Sequence, residues 1–224
     1  MKKTVILAIC ALMLGAGSAS AVSDWAESEA QAANRAGLVT ESLLWGSVTE
    51  NITREEFCYL AMNLYKNMGG DIPQKTENPF SDTKNSAVSE AYTLGIINGK
   101  EETLFYPKAP ITRQEIAKVI MLTVNNLTGS GVTQKAVCEV CRFEDFDEID
   151  SWATEYINDA VKHNLMNGVS ETRLSPQGNA TREQAIVLMM RAYDAFSDAE
   201  AEYSVPRIAS LSAGEKLADR KSVV

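Results

Sequence analysis

Ile52-Thr53-Arg54-Glu55-Glu56, Ile111-Thr112-Arg113-Gln114-Glu115 and Ala180-Thr181-Arg182-Glu183-Gln184 are three copies of one pattern, each running directly into an apolar-periodic segment. A threonine followed three residues later by Glu56, Glu115 or Gln184 is a capping box. The hydroxyl and the Glu or Gln side chain each satisfy an amide left free at a helix start. The flanking residues pair in size, Ile52 with Phe57, Ile111 with Ile116 and Ala180 with Ala185, as a hydrophobic staple requires. Arg54, Arg113 and Arg182 then fall at the first helical position, where a cation meets the positive end of the helix dipole and costs a little stability. Helix formation does not explain them.

The arginines are 59 and 69 residues apart, and a second block recurs upstream of each. It reads Ala33-Asn34-Arg35-Ala36-Gly37-Leu38-Val39, Ala91-Tyr92-Thr93-Leu94-Gly95-Ile96-Ile97-Asn98-Gly99 and Ala160-Val161-Lys162-His163-Asn164-Leu165-Met166-Asn167-Gly168. Gly37, Gly95 and Asn164 align as left-handed helix C-caps followed by an apolar pair. Further upstream, Ser23-Asp24-Trp25, Ser81-Asp82-Thr83 and Asp150-Ser151-Trp152 predict helix N-termini capped by Ser or Asp. Each unit is therefore a first helix, a stop, a loop and a second helix. The loops of units two and three correspond, with Leu104-Phe105-Tyr106-Pro107 matching Arg173-Leu174-Ser175-Pro176, while unit one has Trp45-Gly46 and a degenerate loop.

The second helices carry apolar stripes: Phe57, Leu60, Ala61 and Leu64; Ile116, Val119, Ile120 and Val124; Ala185, Leu188, Met189 and Ala192. One such stripe cannot be buried alone, but three can bury one another. Residues 69–78 and 128–142 read as linkers.

The chain has 224 residues, 21 basic and 30 acidic, with 45% apolar composition. That balance fits a globular protein and argues against nucleic-acid binding. Lys2 and Lys3, the apolar run Val5 to Leu14 and the small residues through Ala21 read as a secretory signal cleaved before Val22. The run is about half the length that a spanning helix needs, so no membrane span is expected after cleavage. Cys10 lies inside the run, which argues against lipidation. Of the other cysteines, Cys58 reads as a packed side chain, and Cys138-Glu139-Val140-Cys141 as a local disulfide or two free thiols. With His163 as the single histidine, no zinc site or catalytic triad is expected, and the acidic run Glu144 to Asp150 lacks the spacing of a calcium loop. No metal, cofactor or enzymatic activity is predicted.

Together, Phe80-Ser81-Asp82, Gly95 to Gly99, Phe105-x-Pro107 and Ile111 to Glu115 resemble an S-layer homology domain. Phe146 to Asp150, Trp152, Asn167-Gly168, Pro176 and Thr181-Arg182-Glu183 resemble a second. A divergent first is carried by Asp24-Trp25, Gly37 and Ile52 to Glu56. The organisation expected is a signal peptide over 1–21, repeats over 22–68, 79–127 and 143–196, and a poorly ordered tail over 197–224. The resemblance implies an all-α fold of three tandem helix-loop-helix repeats, forming a pseudo-threefold body around a central three-helix bundle.

It also implies a function: holding a secreted protein on the surface of a bacterial cell wall. Grooves between repeats would bind an anionic secondary cell-wall polysaccharide, which often carries pyruvate ketals. The family's binding positions map to Arg54, Arg113 and Arg182, to Asp24 and Asp82, to Trp25 and Trp152, and to Gly37, Gly95, Gly99 and Gly168. Helix-terminal amides with an arginine suit a carboxylate, tryptophan offers a flat face for a sugar, and glycine admits close approach. Thr83 stands where the other units have tryptophan, and Asn164 replaces glycine. The competing role for the arginines is a salt bridge to an acid in the next unit. The alternative function is a self-associating scaffold that contacts other surface proteins without binding glycan.

Overall fold

The computed structural model describes residues 22–44, 47–129 and 138–197. Its helices are α1 (Glu27–Arg35), the single turn α2 (Glu41–Leu44), α3 (Arg54–Asn67), α4 (Ser86–Thr93), α5 (Arg113–Thr128), α6 (Thr154–Lys162) and α7 (Arg182–Ser197). Two 3-10 turns, Glu139–Arg142 and Phe146–Glu148, precede α6, and the described residues contain no strand. The expected signal peptide, the Trp45-Gly46 turn and the tail beyond Ser197 lie outside the described residues.

All three capping boxes form. Thr53 and Thr112 each accept from the amide of Glu56 or Glu115 and donate their own amide to that side chain. Thr181 and Gln184 exchange the same pair of bonds at 3.1 and 3.3 Å. The C-caps also form as expected, with φ of 71° at Gly37, 69° at Gly95 and 57° at Asn164. Beyond them Leu38, Ile96 and Leu165 donate back to Ala33, Ala91 and Ala160, each at 2.9 Å, which closes a Schellman motif in every unit.

The Ser/Asp capping of the first helices does not form. Ala26 and Ala153 occupy the N-cap positions of α1 and α6 without a side-chain bond, and Asn85 caps α4. The polar groups in front of these helices are held by another unit instead. Ser23 donates to Glu183, the Thr83 hydroxyl donates to Glu55, and Gln114 bonds to Asp150.

The apolar stripes of α3, α5 and α7 are buried, and the three helices contact one another pairwise. Each first helix packs mainly on the second helix of the preceding unit, α4 on α3 and α6 on α5, while α1 packs on α7. The backbone follows the same cycle. Ile52 donates to Ala180 at 2.9 Å, Ala180 to Ile111 at 3.3 Å and Ile111 to Ile52 at 3.4 Å.

The turns of units two and three are built alike. Asp82 accepts the amides of Phe105 and Tyr106 at 3.0 and 2.7 Å, and Asp145 those of Leu174 and Ser175 at 2.9 and 2.8 Å. These bonds hold Tyr106 and Ser175 at positive φ. The structural counterpart of Asp82 is thus Asp145, displaced from the expected Asp150-Ser151 by extra residues that form the second 3-10 turn. Burial pushes the Asp145 carboxyl up, but the Leu174 and Ser175 amides and Arg173 outweigh it and hold it below the usual carboxylate range.

Removing a buried ionised acceptor from two amides costs roughly 3 kcal/mol. Asp145→Ala should therefore lower the urea midpoint clearly, whereas exposed Asp24→Ala should change stability by less than about 0.5 kcal/mol. Because its folded pKa is depressed, Asp145 contributes fully above about pH 4, and that contribution is lost as pH falls through the folded value. The acid unfolding curve of Asp145→Ala should accordingly be shallower than that of the parent.

Candidate functional site

The first two amides of each second helix are taken by the turn of the next unit. Arg54 and Glu55 donate to Ala109 and Pro107, Arg113 and Gln114 to Gly178 and Pro176, and Arg182 and Glu183 to Glu50 and Val48, all within 2.9 to 3.1 Å. The capping threonine takes the third amide. The expectation that these helix ends offer free amides to an anion is therefore overturned. The degenerate loop of unit one nevertheless supplies carbonyls at the same two places as the others.

The arginine side chains reach across the same junctions. Arg54 is buried, donates to the carbonyls of Phe105 and Asn98 at 3.0 and 3.2 Å, and lies 4.6 Å from the Phe105 ring centre. Its other nitrogen is 3.5 Å from Glu115. Arg113 is equally buried and donates to Leu174 and Asn167 at 2.8 and 2.6 Å. Gln184 stands where Glu115 and Glu56 serve the other two, so among the described residues no carboxylate pairs with Arg113. Burial pulls its pKa down, offset in part by the field of Asp145. Arg182 bonds both oxygens of Glu56 at 3.0 to 3.2 Å and reaches Ser47 and Glu50 at 3.0 and 3.3 Å. Burial alone would lower its pKa, but the two carboxylates raise it. The arginines thus hold the units together, through an acid for Arg54 and Arg182 and through carbonyls for Arg113.

Two cavities open beside these arginines. One of about 280 Å³ has an apolar floor that includes Phe57, Ile96 and Val119, and is bordered by Arg54, Asn98, Gly99, Lys100, Glu115, Lys118 and Trp152. Lys100 pairs with Glu115, and the Lys118 ammonium lies 5.3 Å from the Trp152 ring centre. The other, of about 300 Å³, is lined by Trp25, Arg113, Asn167, Gly168, Gln184 and Arg191 with Val169, Val187 and Leu188. Its lining contains two arginines and no carboxylate. Each cavity combines an arginine from one unit, an Asn-Gly turn from the next and a tryptophan from the remaining one.

Of the sequence-derived candidates, Arg54, Gly99 and Trp152 come together in the first cavity, and Arg113, Gly168 and Trp25 in the second. Trp25 and Trp152 are 52% and 44% exposed. Asp24, Asp82, Gly37 and Gly95 line neither cavity. Gly37 and Gly95 are helix caps, and Asp82 holds a turn. A β-carbon at Gly99 would sit 2.4 Å from the Glu101 carbonyl and 2.7 Å from the Phe80 ring, and one at Gly168 2.3 Å from the Ser170 carbonyl and 2.8 Å from the Phe143 ring, so both glycines are required by the fold. Where the cycle would place a third tryptophan, Thr83 is buried and bonded to Glu55. Lys100, Lys118 and Arg191 were not singled out from sequence, and Gln184 was read there only as a helix cap. Lys118 follows Arg113 by five residues and Arg191 follows Arg182 by nine, so no shared spacing marks them in the sequence.

Residues 79–117 and 142–186 match the S-layer homology domain. The chain is 29% identical over 147 residues to an exoglucanase of Acetivibrio thermocellus, covering 63% of this chain and 13% of that protein. It is 26% identical over 152 residues to cell surface glycoprotein 1 of the same organism, covering 64% and 6%. With the surface-layer 125 kDa protein of Lysinibacillus sphaericus it shares 28% identity over 111 residues, covering 48% and 9%. The chain spans only a small part of these relatives, so the likeness does not carry over an activity named for the whole exoglucanase. What is shared is the module: two segments of this chain match the S-layer homology domain.

Proposed function

We propose that residues 22–196 form a pseudo-threefold body of three S-layer homology repeats around α3, α5 and α7, and that it anchors the protein to a bacterial cell wall by binding an anionic wall polysaccharide. The observation that carries this reading is the pair of composite cavities, each with a buried arginine, an Asn-Gly turn and an exposed tryptophan from three different units. An indole face suits a pyranose ring, and guanidinium groups suit a carboxylate bidentately. The floor of the first cavity suits an apolar substituent such as the methyl of a pyruvate ketal. Both volumes sit at the lower end of small-ligand sites, about 300 Å³, enough for one or two sugar units of a longer chain.

Arg182 belongs to a closed junction. Its nitrogens are committed to Glu56, Glu50 and Ser47, and Thr83 offers no aromatic wall. Two grooves bind and the third is structural. The net charge of −9 does not oppose this, because local cations rather than the whole chain face the ligand. A surface location accords with the disulfide between Cys138 and Cys141, since such bonds persist in oxidising compartments. No described helix is long and apolar enough to cross a membrane.

Purified protein should pellet with cell-wall sacculi and lose most of that binding once the polysaccharide is chemically removed. Equal pelleting with stripped wall would instead favour the self-associating scaffold. Trp25→Ala and Trp152→Ala, both at exposed positions, should each weaken binding about tenfold at unchanged thermal stability. Unchanged binding in both would sink the groove assignment.

Arg182→Ala should separate structure from binding. It leaves Glu56 without its main partner and should lower stability by about 2 kcal/mol, less than a fully buried pair because the group is partly exposed. At temperatures where the variant remains folded, its wall affinity should equal that of the parent.

A further inference from the structure

The cysteine pair plays no part in the grooves, yet its position links it to one of them. Cys138 and Cys141 are disulfide-bonded across the first 3-10 turn, and both residues are exposed. Between them Val140 is buried, and the amides of Glu139 and Val140 donate to the Asn158 side chain on α6 at 2.7 and 3.3 Å. The turn leads straight into Phe143, whose ring lies under Gly168, and into Asp145, which holds the amides of Leu174 and Ser175. The carbonyls of Leu174 and Asn167 are those that hold Arg113.

Unit two reaches the same geometry without a covalent link. Its Phe80 amide donates to the Asn78 side chain, which bonds onward to Thr83. In unit three the disulfide occupies the corresponding place ahead of Phe143. The free cysteine among the described residues, Cys58, is buried with its thiol pushed up to about 12 by desolvation, so it is a poor internal competitor for exchange.

We propose that Cys138–Cys141 is a thiol–disulfide exchange site, opened in the folded protein by a dithiol reductant, and that opening it loosens the turn that holds Arg113. A thiolate of the reductant attacks one sulfur, the Cys138–Cys141 bond breaks, and the departing thiolate takes a proton. The second thiol of the reductant then resolves the mixed disulfide. Two electrons pass to the protein, which gains two thiols, and the reductant leaves as a disulfide. Opening the ring returns chain entropy to residues 138–141, so the segment ahead of Phe143 constrains the turn less. A weakened second groove is the consequence for binding, and only that consequence rests on the proposed wall-binding function.

The test treats the full native chain with dithiothreitol, traps thiols with iodoacetamide and follows amide hydrogen exchange. Cys138 and Cys141 should become alkylated faster than the chain unfolds, with helical circular dichroism retained. Exchange at Leu174 and Ser175 should then accelerate about tenfold, while the matching amides of Phe105 and Tyr106 stay unchanged. A Cys138→Ser/Cys141→Ser variant should reproduce the reduced protein, and if it does not fold, reduction of the parent chain decides. Alkylation only at the rate of global unfolding, or unchanged exchange at Leu174 and Ser175 after reduction, would overturn the proposal. Neither readout involves a wall ligand, so such a failure leaves the anchoring function standing, and a failure of wall binding leaves this site standing.

Discussion

Three helix starts meet, and none can satisfy its own amides. A helix leaves its first amides without intrahelical partners, and burying them unpaired would cost more than the helix gains from packing. Here the third amide is met locally by threonine and the first two by carbonyls of the next unit, from Val48 and Glu50, Pro107 and Ala109, or Pro176 and Gly178. Because the partner always belongs to the next unit and the last unit returns to the first, the solution is complete only when all three are present. The bonds among Ile52, Ala180 and Ile111 close the same circuit. The docking of each first helix on the preceding second helix extends it outward.

That circuit also builds the cavities. An arginine at the first helical position necessarily points at the neighbouring turn, whose carbonyls take up its donors. The tryptophan ahead of a first helix lands beside the preceding junction because its helix packs there. Composite grooves are thus a by-product of satisfying helix ends across units, and each depends on the whole ring. The same logic makes a junction easy to close: at Arg182 two acids occupy the guanidinium and a threonine bonded to Glu55 replaces the indole.

What the sequence made legible is what is local. Capping boxes, staples and left-handed caps are written within a few residues, so Thr53, Glu56, Gly37 and Asn164 could be assigned roles that the structure bears out. The stripes of the second helices were legible for the same reason. The role of Arg54 was legible only as the competing one, a salt bridge to an acid in the next unit, here Glu115; its carbonyl partners Asn98 and Phe105, 44 and 51 residues away, were not. The Ser/Asp residues ahead of the first helices resemble N-caps, but Glu183 takes Ser23, Gln114 takes Asp150, and the Phe105 and Tyr106 amides take Asp82. Asp145 escaped notice because the extra residues of the 3-10 turn shifted it out of register with Asp82. Gly99 and Gly168 stood out as binding positions, whereas the structure shows them required by close backbone carbonyls of Glu101 and Ser170 and by the Phe80 and Phe143 rings.

The two cavities differ through one substitution that is nearly silent at the level where it is first read. Glu56, Glu115 and Gln184 cap their helices equally well, because the cap needs only an acceptor for the threonine amide. Each also faces the arginine of the preceding unit, and there the difference is a full charge. With glutamate, Arg54 and Arg182 each have a carboxylate partner within the fold, that of Arg54 being shared with Lys100. With glutamine, Arg113 is bonded to carbonyls alone, is buried, and meets a carboxylate only through the field of Asp145. Desolvating a cation this way is costly unless something anionic completes it. The residue at that capping position thus decides whether the arginine it faces meets a carboxylate or an amide.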